Sequence, residues 1–209
     1  MKPRAKRSTK TGKGSGQAHS KEATRDALIE AGGALFAKYG LDRPSLDDIC
    51  AHAGFTRGAV YVHFKDRDDF LVAVMDRVGR RIVDELLVAG GGDGLTGAMQ
   101  RFLEASATGK YPLMPAGGIR PHQLLDACAR SRPVRERYLA LVETSRARIK
   151  DLVAGGQKDG LVTRDLDPWN ASTLLIALVV GLQTLADLGA PVPLADLAPD
   201  VLALLAPRA

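Results

Sequence analysis

The sequence predicts an all-helical fold of about nine helices, in which a three-helix unit containing a helix-turn-helix precedes a larger helical domain. Three observations carry that expectation. Apolar residues recur at helical spacing along most of the chain, no strand-like alternation of convincing length interrupts them, and Ser45 to Phe64 reads as two short helices joined by a glycine turn.

In that segment Ser45 can cap a first helix, with Asp48 three residues on, near its positive end. Leu46, Ile49 and Ala53 supply a buried face, and Cys50 lies on the same inner side. Gly54 ends the helix, because glycine tolerates the positive φ that a tight interhelical turn needs. Thr56 can cap a second helix that carries Ala59 and Val60 inward. A second helix held in this way is shaped to enter the major groove of DNA, where guanidinium and hydroxyl groups meet base edges and a glycine permits close approach. The candidate groove contacts are Thr56, Arg57, Gly58, Tyr61 and His63, with Lys65 and Arg67 as anchors on the DNA backbone.

From about Thr24 to Met75 the chain resembles the TetR (tetracycline-repressor-like) family of transcriptional regulators. The resemblance rests on Thr24-Arg25, Ala27-Leu-Ile-Glu-Ala31 and Leu35-Phe-Ala-Lys-Tyr-Gly40, which are similar to the family's first helix. It continues through Ser45-Leu-Asp-Asp-Ile49 and Ala53-Gly-Phe-Thr-Arg-Gly-Ala-Val-Tyr61, and closes on His63-Phe64 and Asp66-Arg-Asp-Asp-Phe-Leu71. Gly32 and Gly33 depart from it, each costing about 1 kcal/mol of helical propensity relative to alanine, which points to close helix packing or a softer helix. Val62 stands where members often carry an aromatic residue, so the base preference does not transfer. The resemblance implies Arg25 and Ser45 as further phosphate contacts, a homodimer on a double-stranded operator, and repression rather than activation. The expected organisation is a flexible basic arm over residues 1–19, a DNA-binding domain over 20–80 with its motif at 45–64, and an effector-binding and dimerisation domain over 81–209.

Charge is distributed in keeping with that division. Residues 1–25 carry eight Lys or Arg against the single acid Glu22, a net +7, so within a chain total of +5 the remaining 184 residues net −2. The arm is also rich in Gly, Ser and Thr and has little to bury. It reads either as a solvated tail or as a phosphate-binding arm that releases counterions from DNA. Cys50 and Cys128 are too few and too far apart for a disulfide scaffold, the basic start lacks an apolar signal stretch, and the apolar run Leu174 to Leu182 falls short of the roughly 20 residues that span a bilayer. A cytoplasmic protein without membrane contact is expected.

After the helix-turn-helix, Asp66 can cap a helix reaching about Ala89, with Phe70, Val74, Val78, Ile82 and Leu86 recurring every four residues. Gly90 to Gly94 reads as a linker, Leu95 to Thr108 as a helix, Gly109 to Gly118 as a Pro/Gly-rich loop, and Ile119 to Arg130 as a further helix. Pro133 opens a long helix carrying Val134, Tyr138, Leu141, Val142, Ile149, Leu152 and Val153 on one face. Asp167-Pro168 starts a helix that Gly189 stops, and a last helix runs to about Leu205. These final two are more apolar than one partner face needs. Leu174, Leu178, Leu182, Leu185, Leu202 and Leu205 serve either a monomer core or a subunit interface, and the resemblance favours a four-helix bundle between two copies.

Enzymatic readings find little support. Gly12-Lys-Gly-Ser-Gly16 lacks the ending and flanking elements of a phosphate loop. The four histidines are scattered without metal-ligand spacing, and no nucleophile motif is present, so neither metal nor cofactor is expected. Phe102, Tyr111, Met114 and His122 are the candidate contacts for a small, mostly apolar effector, with the 109–118 loop as a gate. The expected function is that of a regulator released from a palindromic operator by such a ligand; a constitutive or architectural DNA-binding protein is the alternative.

Overall fold

In the computed structural model, residues 14–88, 93–108, 110 and 119–207 are described. They form α1 (Gly14–Tyr39), α2 (Leu46–His52), α3 (Gly58–His63), α4 (Arg67–Ile82), a π-helical turn (Val83–Val88), α5 (Gly94–Thr108), α6 (Pro121–Arg130), α7 (Arg132–Lys158), α8 (Pro168–Asp187) and α9 (Leu194–Leu205). The expected all-helical fold is observed, with no strand among the described residues. Of the expected arm, residues 1–13 lie outside the described residues and 14–19 already belong to the backbone of α1. The Gly90–Gly94 linker, apart from Asp93 and Gly94, and most of the 109–118 loop also lie outside.

Local chemistry explains the helix ends. Ser45 Oγ accepts from the Asp48 N–H at 3.1 Å while Asp48 Oδ2 accepts from the Ser45 N–H at 2.8 Å, a reciprocal capping box that holds the Asp48 carboxyl below its usual acidity range. Asp66, Ser131 and Asp167 cap α4, α7 and α8 through their side chains, the last two just ahead of prolines tolerated in the first turn. The helix expected from Asp66 to Ala89 is continued beyond Ile82 by the π-helical turn, so its later apolar residues are shifted from strict α register.

The first core joins the helix-turn-helix to the rest of the chain. Leu28, Phe36, Ile49, Val60, Phe64, Phe70 and Val74 are buried together, and the same cluster extends to Ala127, Cys128 and Val134 of α6 and α7. Gly32 shows why a glycine stands inside α1: a Cβ there would fall 2.5 Å from Phe70 Cζ. A second core at the far end gathers Leu95, Val153, Val162, Ala171, Leu175 and Leu205. Leu205 was expected to face a partner subunit; with 8% exposure it belongs to this inner core instead, and its carbonyl accepts from the Thr163 N–H at 2.8 Å.

α8 is longer than the apolar run Leu174–Leu182 suggests, and by length and composition alone it is the one described helix that could cross a membrane. Its packing against α7 and its capped start give it a place in the helical assembly. It nonetheless leaves Leu174, Leu178, Gly181, Leu185 and Leu188 exposed, spaced alternately by four and three residues, which is the seam pattern of paired helices. Leu182 and Leu202 are half-buried beside it, and Leu204 of α9 is 79% exposed.

Candidate nucleic-acid interface and cavity

α3 sits on the core through one residue. Val60 is fully buried, Ala59 is half-buried, and Thr56, Arg57, Gly58, Tyr61 and Val62 are exposed on one continuous surface. Gly54 has φ +76°, and the Phe55 N–H donates back to the Cys50 carbonyl at 2.9 Å, so the turn is closed by the glycine conformation anticipated for it. Thr56 does not cap α3 with its side chain. Arg57 occupies the cap position, and the Thr56 backbone carbonyl accepts from the Ala59 N–H at 2.9 Å.

The surface around α3 is cationic and uncrowded. Arg57 is exposed and pairs with Asp47 at 3.0 Å, a contact that a phosphate or base can replace at little cost. Arg25 lies 5.2 Å over the Phe64 ring, which orients its guanidinium beside α3. His63 is half-buried, not fully outward as its position suggested. Burial foremost, and then the charges of Arg25 and Lys21, push its pKa below the ordinary 6.5. Lys65 is exposed, with its backbone N–H bonded to Asp69 Oδ2 at 2.9 Å. Ser45 is exposed too, but its hydroxyl is occupied by the capping box.

Arg67 is the clearest departure from the expected set. Its guanidinium turns inward, donates to the Pro44 carbonyl at 2.6 Å and to the Leu41 carbonyl, and lies 5.7 Å over the Phe36 ring. It fixes the α1–α2 connection, with one N–H of each terminal nitrogen committed to a backbone carbonyl. Val62, 65% exposed beside Tyr61, shares the exposed face of α3 with the residues singled out from the sequence, although it was not among them.

A cavity of about 430 Å³ lies between the two cores, walled by α4, the π-helical turn, α5, α6, α7 and α8. Phe102 lines it as expected, together with Val78, Ile82, Leu124, Leu141, Ile149 and Val179. His122 is not on the wall; its Nδ1 lies 3.6 Å from Oδ2 of Asp187, which is. Tyr111 and Met114 lie outside the described residues. Burial raises the pKa of Tyr138, another wall residue, as does the nearby Cys128, whose own thiol burial pushes upward. The wall draws on six elements, and this is why spacing along the sequence revealed so little of it.

The fold combines a helix-turn-helix with an exposed α3 and a second, cavity-bearing helical half. Residues 28–74 match the family described as bacterial regulatory proteins, tetR family. Over that segment the chain is similar to the N-terminal DNA-binding domain of TetR-family transcriptional regulators. Among curated relatives, the HTH-type transcriptional regulator YwcC of Bacillus subtilis is 40% identical over 57 residues, 27% of this chain and 26% of that protein. The HTH-type transcriptional repressor BepR of Brucella suis is 37% identical over 54 residues, 26% of each chain. The matches thus span about a quarter of these relatives' length. Over the whole fold, a TetR-family regulator from Cytophaga hutchinsonii superposes with a TM-score of 0.76 at 18% identity, covering 90% of this chain and 96% of that one. A SmeT–triclosan complex does so with a TM-score of 0.65 at 27% identity, covering 87% and 89%.

Proposed function

We propose that this chain is a cytoplasmic transcriptional repressor that binds a palindromic operator as a homodimer and is released by a small, mostly apolar molecule entering the cavity between α4 and α8. The observation that carries the reading is the position of α4. At its start Phe70 packs edge-on against Phe64, 4.9 Å between ring centroids, directly behind α3. Farther along, Met75, Val78, Gly79 and Ile82 form cavity wall. One rigid rod therefore touches both sites, and a ligand that shifts it moves α3. Arg57, Tyr61 and Val62 meet base edges, Thr56 and Gly58 allow close approach, and Arg25, Lys65 and a protonatable His63 face phosphates.

The exposed seam on α8 supports the dimer, since two copies bring two α3 helices to successive major grooves about 34 Å apart. Triclosan in SmeT is a precedent for a small aromatic ligand on this fold. A constitutive DNA-binding protein would have no use for a cavity of this volume. The reading assigns the chain no reaction and no cofactor. It is tested by selecting bound duplexes from a random pool with the full chain. A two-fold symmetric consensus supports it, and a pool without enrichment sinks it.

A further inference from the structure

Asp187 stands out among the wall residues. The described wall is otherwise apolar apart from Tyr138, Ser145 and Gln183, and it contains no Lys or Arg. The Oδ2 atom of Asp187 is inaccessible to solvent and has no hydrogen-bond partner, the His122 Nδ1 being 3.6 Å away. A carboxylate oxygen without a hydrogen bond on an apolar wall costs free energy, which the 3.6 Å approach of His122 returns only in part. Its place on the helix adds to that cost. Asp187 is the last residue of α8, where the carbonyl ends of the helix already make the local potential negative and an acidic side chain is disfavoured.

We infer that the cavity takes a small apolar molecule bearing a single positive charge, an amine or a quaternary ammonium, with that charge against Asp187 and its hydrocarbon part among Val78, Ile82, Phe102, Leu141 and Val179. The inference rests on the effector reading given above and names its ligand class. A cation answers both features of the site at once, since it neutralises the carboxylate and sits at the negative end of α8. A neutral hydroxyl would satisfy one oxygen and leave the charge, and an anion would meet the carboxylate with no basic wall residue to offset it. Tyr138 lines the same space, and an aromatic ring there also attracts a cation.

The test is calorimetry on the full-length protein with three probes: phenethyltrimethylammonium, its uncharged isostere in which a tert-butyl group replaces the trimethylammonium, and phenylbutyrate. The cation is expected to bind at least about tenfold more tightly than the isostere, and phenylbutyrate most weakly. Asp187→Asn, similar in size, should bring the cation down to the isostere while leaving isostere binding unchanged and the melting temperature no lower than that of the wild type. Equal binding of cation and isostere to the wild type overturns the inference, and so does a cation preference that survives Asp187→Asn. Failure of all three probes to bind overturns it as well. The broader effector reading is judged separately, by the operator affinity of a chain whose cavity is filled by mutation.

Discussion

The side-chain oxygen of Gln123 accepts a hydrogen bond from the backbone N–H of Leu41 at 3.2 Å, across 82 residues of sequence. Gln123 belongs to α6, whose Pro121 and Leu124 line the cavity, and Leu41 belongs to the loop that leads into α2. Arg130 at the end of α6 pairs with Asp42 of the same loop at 2.9 Å, and the Ser131 hydroxyl just beyond α6 donates to Asp68 of α4 at 2.7 Å. α6 is thus a second mechanical link beside α4.

Removing that link should be measurable as stability. Gln123→Ala leaves the Leu41 N–H without its partner and should cost about 1 kcal/mol in urea denaturation. Gly40→Ala should cost more, because Gly40 has φ +85° and a Cβ there would come within 2.9 Å of the Gln123 amide. If Gly40→Ala proves the milder of the two, the tight packing of α6 on this loop is wrong.

Arg57 and Arg67 should separate by phenotype. Arg57→Ala and Tyr61→Ala each remove an exposed group and should weaken specific DNA binding by about 1–3 kcal/mol with unchanged thermal stability. Arg67→Ala breaks two hydrogen bonds to backbone carbonyls and should instead lower stability by about 2 kcal/mol. Anisotropy on a selected operator, paired with thermal melts, distinguishes the two outcomes. A stable Arg67→Ala protein that has lost DNA binding would restore that residue to the interface.

His63 gives the interface a pH dependence. Its pKa lies below 6.5 in the free protein because burial, Arg25 and Lys21 all disfavour the charged form. DNA phosphate favours that form, so the pKa should rise on binding and a proton should be taken up. Affinity therefore strengthens as pH falls from the bound-state pKa toward the lower free-state value, and it levels off below that. His63→Gln should flatten this part of the profile; an equally steep profile in the variant would assign the proton elsewhere.

The seam on α8 should hold the dimer. Leu178→Glu combined with Leu185→Glu places like charges on an apolar face and should yield a monomer by light scattering, with weakened operator affinity. A dimer of unchanged mass would move the interface off α8.

What the sequence disclosed was local. The Ser45–Asp48 box, the Gly54 turn and the buried Val60 each depend on residues within a few positions of one another, and all were legible. Arg67 was misread because the carbonyls it serves lie 23 and 26 residues away. Thr56 is a good capping residue by type, yet the chain enters α3 with Arg57 already helical, which leaves the Thr56 hydroxyl nothing to cap. Leu205 and Leu204 are adjacent in sequence and opposite in environment, and only the packing of α9 decides which one turns inward. Asp187 was invisible as a site residue because its significance comes from cavity walls supplied by helices as distant in sequence as α4.

The central claim is that the cavity and α3 are coupled through α4, and it can be tested without knowing the ligand. Val179→Trp places an indole in the cavity from α8, in imitation of an occupied site. Operator affinity should fall at least about tenfold, while affinity for random DNA and dimer mass stay as in the wild type. A folded Val179→Trp dimer, with its indole shown by blue-shifted fluorescence to be buried, that binds operator as tightly as the wild type would contradict the account.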